Sequence, residues 1–212
     1  MGNRAHVLFR DERGICGSAV YMHWNSGPEK MYAFLDELME FSDPTYPDQN
    51  CTRAFEPQYN TARFIQIAGN FFGPGGLSLG TTNGPKGEPV IKPMEKSSVD
   101  LLKEYDHGDN GVYIVDIGIP GQESQTKAKK YTVYRLRSVK RPGVTDETPW
   151  DQMWEFRWLT KEETDKERRA ARRSKEYQDM RDTLKRLREA ITPKPRKTSR
   201  KKKTSAKELV PA

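Results

Sequence analysis

The sequence is short of the residues that metal, redox and secreted proteins rely on. Of its 212 residues only two are cysteine, Cys16 and Cys51, and only three are histidine, His6, His23 and His107. There is no Cys-x-x-Cys and no His-x-x-x-His, and the three histidines fall on different predicted elements. A protein zinc site needs clustered sulfur, nitrogen or carboxylate ligands, so no metal is expected. Neither cysteine sits in a local Cys–His nucleophile signature, and two thiols with no secretion signal are expected to stay reduced. No apolar run approaches the ~20 residues that cross a bilayer. Met1-Gly2-Asn3-Arg4-Ala5 leads into no apolar signal region, and the Ser/Thr of a myristoylation signal is missing. The expectation is a cytoplasmic protein with no membrane attachment and no cofactor, and a binding protein rather than an enzyme.

Charge is plentiful but unevenly placed. Up to Thr160 there are 18 lysines and arginines against 21 acidic residues; from Lys161 onward there are 19 against 9. The overall +7 therefore belongs to the C-terminal part. Apolar content divides at the same point, with aromatic and β-branched residues abundant before Lys161 and sparse after it. Such asymmetry points to a basic arm that seeks a polyanion.

Hydrophobic periodicity predicts an α+β domain over residues 1–160, with a mixed or antiparallel sheet and two or three packed helices. Ala5-His6-Val7-Leu8-Phe9-Arg10 and residues 18–24 read as a strand hairpin. Pro28 and Glu29 suit a helix start, and Met31, Phe34, Leu35, Leu38 and Met39 recur at helical spacing, with Asp36, Glu37 and Glu40 on the opposite side. Pro57 opens a second helix to Phe72 whose apolar residues nearly encircle it, which predicts a core position. Residues 77–81 read as a short strand, and Ser97-Ser98 as the cap of a short helix ending near Tyr105. Residues 112–119 are apolar on both faces, as a central strand should be. Residues 131–139 read as a more edge-like strand because of Arg135 and Arg137, and Trp150, Trp154, Phe156 and Trp158 as a plug closing the core.

Residues 161–191 are rich in Glu, Lys, Arg and Ala and read as one long charged helix. Tyr177, Met180, Leu184, Leu187 and Ile191 are spaced as a short heptad stripe, suited to a homodimeric coiled coil or to packing on the domain. Residues 192–212 are of low complexity and read as a disordered basic tail. Within it, Lys194, Arg196, Lys197, Arg200, Lys201, Lys202 and Lys203 form a cationic arm suited to phosphates. It carries no aromatic residue to stack on bases, so contact with nucleic acid is expected to be non-specific.

Two loops invite a phosphate-site reading. Gly73-Pro74-Gly75-Gly76 follows a helix rather than preceding one, so it reads as a helix stop. Asn25-Ser26-Gly27-Pro28 has the order strand, loop, helix, with His23 close by. Backbone N–H groups there, helped by His23, Asn25 and Ser26, are candidates for a phosphate or carboxylate ligand. Ordinary helix capping is the alternative.

Three stretches carry a resemblance: Met1-Gly2-Asn3-Arg4-Ala5, Tyr21-Met22-His23-Trp24-Asn25-Ser26-Gly27-Pro28, and Asp109-Asn110-Gly111-Val112-Tyr113. They resemble a family of uncharacterised bacteriophage, prophage and mobile-element proteins that begin with M-G-N-R-A and carry a Y-L-H-W-N-G-G block. Ser26 stands where that block has glycine. The resemblance covers residues 1–115 and implies an accessory protein acting in a bacterial cytoplasm on a partner, such as a host protein. It implies no catalytic residues. The rival expectation is a nucleotide- or nucleic-acid-processing enzyme with its site near His23 and Asn25, which needs an acid–base partner for His23.

Overall fold

A computed structural model describes residues 3–11, 13–41, 57–73, 79–82, 90–105, 110–117 and 131–191. Six strands, β1 (Ala5–Arg10), β2 (Ala19–Met22), β3 (Leu79–Thr82), β4 (Val112–Ile117), β5 (Tyr131–Lys140) and β6 (Trp154–Trp158), form one mixed sheet in the order β3-β2-β1-β4-β5-β6. The two strands richest in apolar residues on both faces, β1 and β4, take the centre and run parallel; every other neighbouring pair is antiparallel. The fold is α+β, as the periodicity predicts.

Alternation along each strand sorts its side chains onto two faces. Val7, Phe9, Tyr113, Val115, Tyr131 and Val133 belong to the larger core, beneath α1 (Pro28–Phe41), α2 (Pro57–Phe72), α5 (Lys161–Arg173) and α6 (Lys175–Ile191). Leu8, Val112, Ile114 and Leu136 face the other way, under α3 (Lys96–Leu102) and the 3₁₀ turn Lys103–Tyr105. A one-turn helix, α4 (Trp150–Met153), leads into β6.

Several sequence expectations change. The apolar residues of α2 do not all reach the core: Asn60, Thr61, Phe64, Ile67 and Ala68 are buried, while Ala62 faces out. The cap of α3 is Glu95, not serine; Ser98 lies inside the helix and its hydroxyl accepts from Lys92 N. Strand β5 is not at the edge, because β6 pairs along its outer side, and Arg135 is wholly buried. The tryptophan plug is only partial: Trp158 is buried, whereas Trp150 is 75% exposed.

The largest change concerns residues 161–191. They form two helices, not one, with the backbone extended at Ser174. The Ser174 hydroxyl donates to Ala171 O at 2.8 Å and accepts from Tyr177 N at 3.1 Å, so one serine closes α5 and caps α6. Upstream, Thr160 and Glu163 form a capping box that starts α5. Nor do these helices stand away from the domain. Ala171, Tyr177, Met180 and Leu184 belong to the same core cluster as Phe9 and Phe34.

Candidate functional site

The strand-to-helix turn at residues 23–28 leaves β2 and enters α1. Asn25 takes a left-handed backbone (φ 59°), which asparagine tolerates better than most residues. Its side-chain oxygen accepts from Lys30 Nζ, and Lys30 also pairs with Glu176 at 3.0 Å. Ser26 is wholly buried, and its hydroxyl donates to Asn3 O at 2.5 Å. Asn110 donates its amide to Asn3 Oδ1, and the Tyr113 hydroxyl donates to Ser26 O at 3.3 Å. Backbone bonds from Asn110 N to Arg4 O (2.9 Å) and from His6 N to Gly111 O (3.0 Å) close the seam.

Asn3, Ser26, Asn110 and Tyr113, far apart in the sequence, therefore meet in space. The meeting is a stitch rather than a cradle. Ser26 is turned to Asn3, Asn25 to Lys30, and His23 Nδ1 lies 2.8 Å from the Tyr21 hydroxyl. The three candidate ligand residues each hold a different partner. Among the described residues no carboxylate pairs with His23. Its ring packs edge-on against Trp24, with centroids 4.8 Å apart, and Trp24 is exposed.

Beneath this stitch lies a charged centre that the strand pattern concealed. Arg135 Nε donates to Glu167 Oε1 at 2.8 Å, and its Nη1 donates to Asn110 O at 2.8 Å. The guanidinium carbon sits 3.4 Å from the Tyr113 ring centroid, a cation–π contact inside the protein. Burial would lower the Arg135 pKa, but Tyr113 and Glu167 outweigh it and the net shift is upward. Burial drives the Tyr113 hydroxyl far above its ordinary range. Glu167 also takes Arg137 at 3.4 Å. Arg135 was detectable only as a residue sharing a strand face with Tyr131 and Val133.

The acidic side of α1 is likewise covered rather than solvated. Asp36 accepts from the Tyr131 hydroxyl at 2.6 Å, the Tyr177 hydroxyl at 2.6 Å and Arg172 Nε at 2.9 Å. Glu37, nearly buried, accepts from Arg181 Nη1 at 2.8 Å and lies 3.3 Å from Arg188 Nε. Arg188 also donates to Glu40 at 3.0 Å. This matching of acidic α1 to basic α5 and α6 turns the heptad stripe inward. Tyr177, Met180 and Leu184 are 9%, 4% and 2% exposed, so most of the surface expected to pair with a second chain is covered by the chain's own helices. Leu187 is half-buried beside Ile67, and only Ile191 at the helix end stays exposed.

Lys194, Arg196, Lys197, Arg200, Lys201, Lys202 and Lys203 lie outside the described residues, as do Cys51, His107, Asp109 and the rest of 42–56 and 83–89. Cys16 is a free thiol whose burial pushes its pKa up to about 12, which leaves little thiolate at neutral pH. Among the described residues no three His, Cys, Asp or Glu side chains gather as metal ligands, and no helix is long and apolar enough to cross a membrane. No protein-family model matches the chain, and neither a curated protein nor a solved structure shows significant similarity to it.

Proposed function

We propose that the protein is a non-enzymatic accessory protein of a bacteriophage or mobile element. In this reading it binds nucleic acid non-specifically through Lys194, Arg196, Lys197, Arg200, Lys201, Lys202 and Lys203, while the α+β domain engages a partner or small ligand. The observation that carries the reading is the segregation of charge. Residues 192–212 hold eight cationic side chains and one acidic one, on a chain whose first 160 residues are net acidic. A cationic segment of this kind neutralises phosphates and releases counterions without needing a fold of its own. The helix leading to it is fastened to the domain by the Arg181 and Arg188 pairs with Glu37 and Glu40.

The test is duplex binding by full-length protein over a range of salt. Contact with ~4–6 phosphates gives a log–log salt slope of roughly −4 to −5. Removing residues 192–212 is expected to abolish most of the binding and flatten the slope. Unchanged binding by the shortened chain would overturn the reading. The enzymatic alternative at His23 has less support, because its imidazole is paired with a tyrosine hydroxyl and, among the described residues, with no carboxylate.

A further inference from the structure

We propose that the cleft between α1, α5 and the start of β5 is a binding site for a phosphomonoester, the terminal phosphate of a nucleotide. The cleft is open to solvent, has a volume of about 570 Å³ and is lined by Asp36, Met39, Tyr131, Asp165, Arg168, Arg169 and Arg172. That volume falls in the range of small-molecule sites.

Some of the charges in the cleft are already matched and others are not. Asp36 is satisfied by two tyrosine hydroxyls and Arg172. Its burial favours the neutral acid, but these hydrogen bonds outweigh that and keep it ionised below the usual carboxylate range. Arg172 spends Nε and Nη2 on Asp36, and its Nη1 has no hydrogen-bond partner among the described residues. Asp165 pairs with Lys161 at 3.7 Å. Arg168 and Arg169 have no carboxylate partner among the described residues. The Arg168 guanidinium lies 4.4 Å from the Tyr131 ring centroid and 5.9 Å from that of Tyr32. Its Nε is buried with no hydrogen-bond acceptor among the described residues. The remaining N–H groups of Arg168 and those of Arg169 have no acceptor among the described residues, and both side chains line the cleft, so their donors are open to an acceptor that arrives from elsewhere.

The missing acceptor is anionic, because two arginines here exceed the local negative charge. It is best a phosphate, because guanidinium groups from successive turns of α5 suit an anion with three or more acceptor oxygens and up to two charges. A carboxylate has only two oxygens and one charge. The site grips phosphate and does not read bases, since the Tyr131 face is already occupied by Arg168. It is independent of residues 192–212.

The test uses full-length protein titrated with inorganic phosphate at constant ionic strength, with chloride and acetate as reference anions, followed by the nitrogen and proton shifts of the arginine Nε–H groups. The expected result is a saturable response of Arg168 and Arg172 to phosphate alone, weakened at least tenfold in R168Q/R169Q. Arg169 is exposed and has no partner among the described residues, so R169Q leaves the fold intact and is expected to weaken binding several-fold; it decides the matter should R168Q unfold the protein. Displacement of phosphate by adenosine monophosphate but not by an oligonucleotide lacking terminal phosphates would assign the site to nucleotides. Displacement by both would show that backbone phosphodiesters enter as well and would overturn the monoester assignment. A response equal to that of chloride, or unchanged affinity in folded variants, would overturn the proposal. Repeating the titration with Lys201, Lys202 and Lys203 all changed to Gln separates this site from the basic segment: phosphate affinity is expected to be unchanged, whatever happens to duplex binding.

Discussion

Arg135 on β5 and Glu167 on α5 meet at 2.8 Å, with the arginine wholly buried and the carboxylate 15% exposed. This pair ties the sheet to the first of the two C-terminal helices. Removing one partner of a buried pair costs far more than the pair contributes, because the other charge is left desolvated. Glu167→Ala is therefore expected to lower stability by about 3–5 kcal/mol in urea denaturation. Glu167→Gln, which keeps an acceptor oxygen for Arg135 Nε, is expected to cost less. Equal stability of the alanine variant and the parent would show that Arg135 finds another acceptor.

The covered stripe on α6 leads to two linked expectations. Leu184→Ala removes a buried side chain from the main core and is expected to cost about 2–5 kcal/mol. Sedimentation should show no change of oligomeric state, since that side chain packs within the chain. A chain ending at residue 160 would lose Tyr177, Met180 and Leu184 from its core and leave Arg135 without Glu167. It is expected to melt without cooperativity and to expose apolar surface to a dye. A sharp melt of that fragment would instead restore the boundary suggested by composition.

That boundary shows what a sequence conveys and what it hides. The strands β1 and β4 and the helices α1 and α2 were legible because their apolar residues repeat at strand or helix period, and that repeat reflects burial directly. The docking of α5 and α6 was not, because it depends on charges. Asp36, Glu37 and Glu40 look like a solvated face until Arg172, Arg181 and Arg188 are placed opposite them, more than 130 positions later. The break at Ser174 was hidden by strong helix formers on both sides, although Ser174 is itself a favoured cap residue. Arg135 was read as an edge marker because arginine is rarely buried, and its partner Glu167 lies on another element. At the candidate turn, spacing placed His23, Asn25 and Ser26 together along the chain. It did not reveal that each was committed to a different partner.

Acid should loosen the helical layer. Asp36, held by Arg172 and two tyrosine hydroxyls despite its burial, ionises more readily in the folded state than in the unfolded chain. Glu163 does the same, its pKa lowered to about 2 chiefly by Arg157. For a carboxyl group depressed in this way, the stabilisation is present above the unfolded value and is lost as the pH falls through the folded one. The melting temperature is therefore expected to drop between pH about 4.5 and about 2. Glu37 runs the other way, its pKa raised by burial beyond what Arg188 and Arg181 offset, so it does not add to this acid limb. Asp36→Asn is expected to lower stability at neutral pH and to flatten the limb. A limb of unchanged slope in that variant would place the acid sensitivity elsewhere.

The stitch at Asn3, Ser26 and Asn110 allows the turn to be tested as structure and as site in the same measurement. Ser26 is buried with its hydroxyl on Asn3 O, so Ser26→Ala leaves that carbonyl without its side-chain donor and is expected to cost about 1–3 kcal/mol. Ser26→Gly is expected to behave no better, because it too lacks the hydroxyl. His23 is only half-buried, and its imidazole meets the Tyr21 hydroxyl, so His23→Ala should cost less than the Ser26 changes. If the turn holds no anion, phosphate and nucleotide titrations will leave the His23 ring signals in place while the arginine signals of the α5 cleft move. A His23 shift that saturates with nucleotide, and disappears in Asn25→Ala without loss of the fold, would return the turn to the list of binding sites and would show that its geometry rearranges to make Asn25 release Lys30.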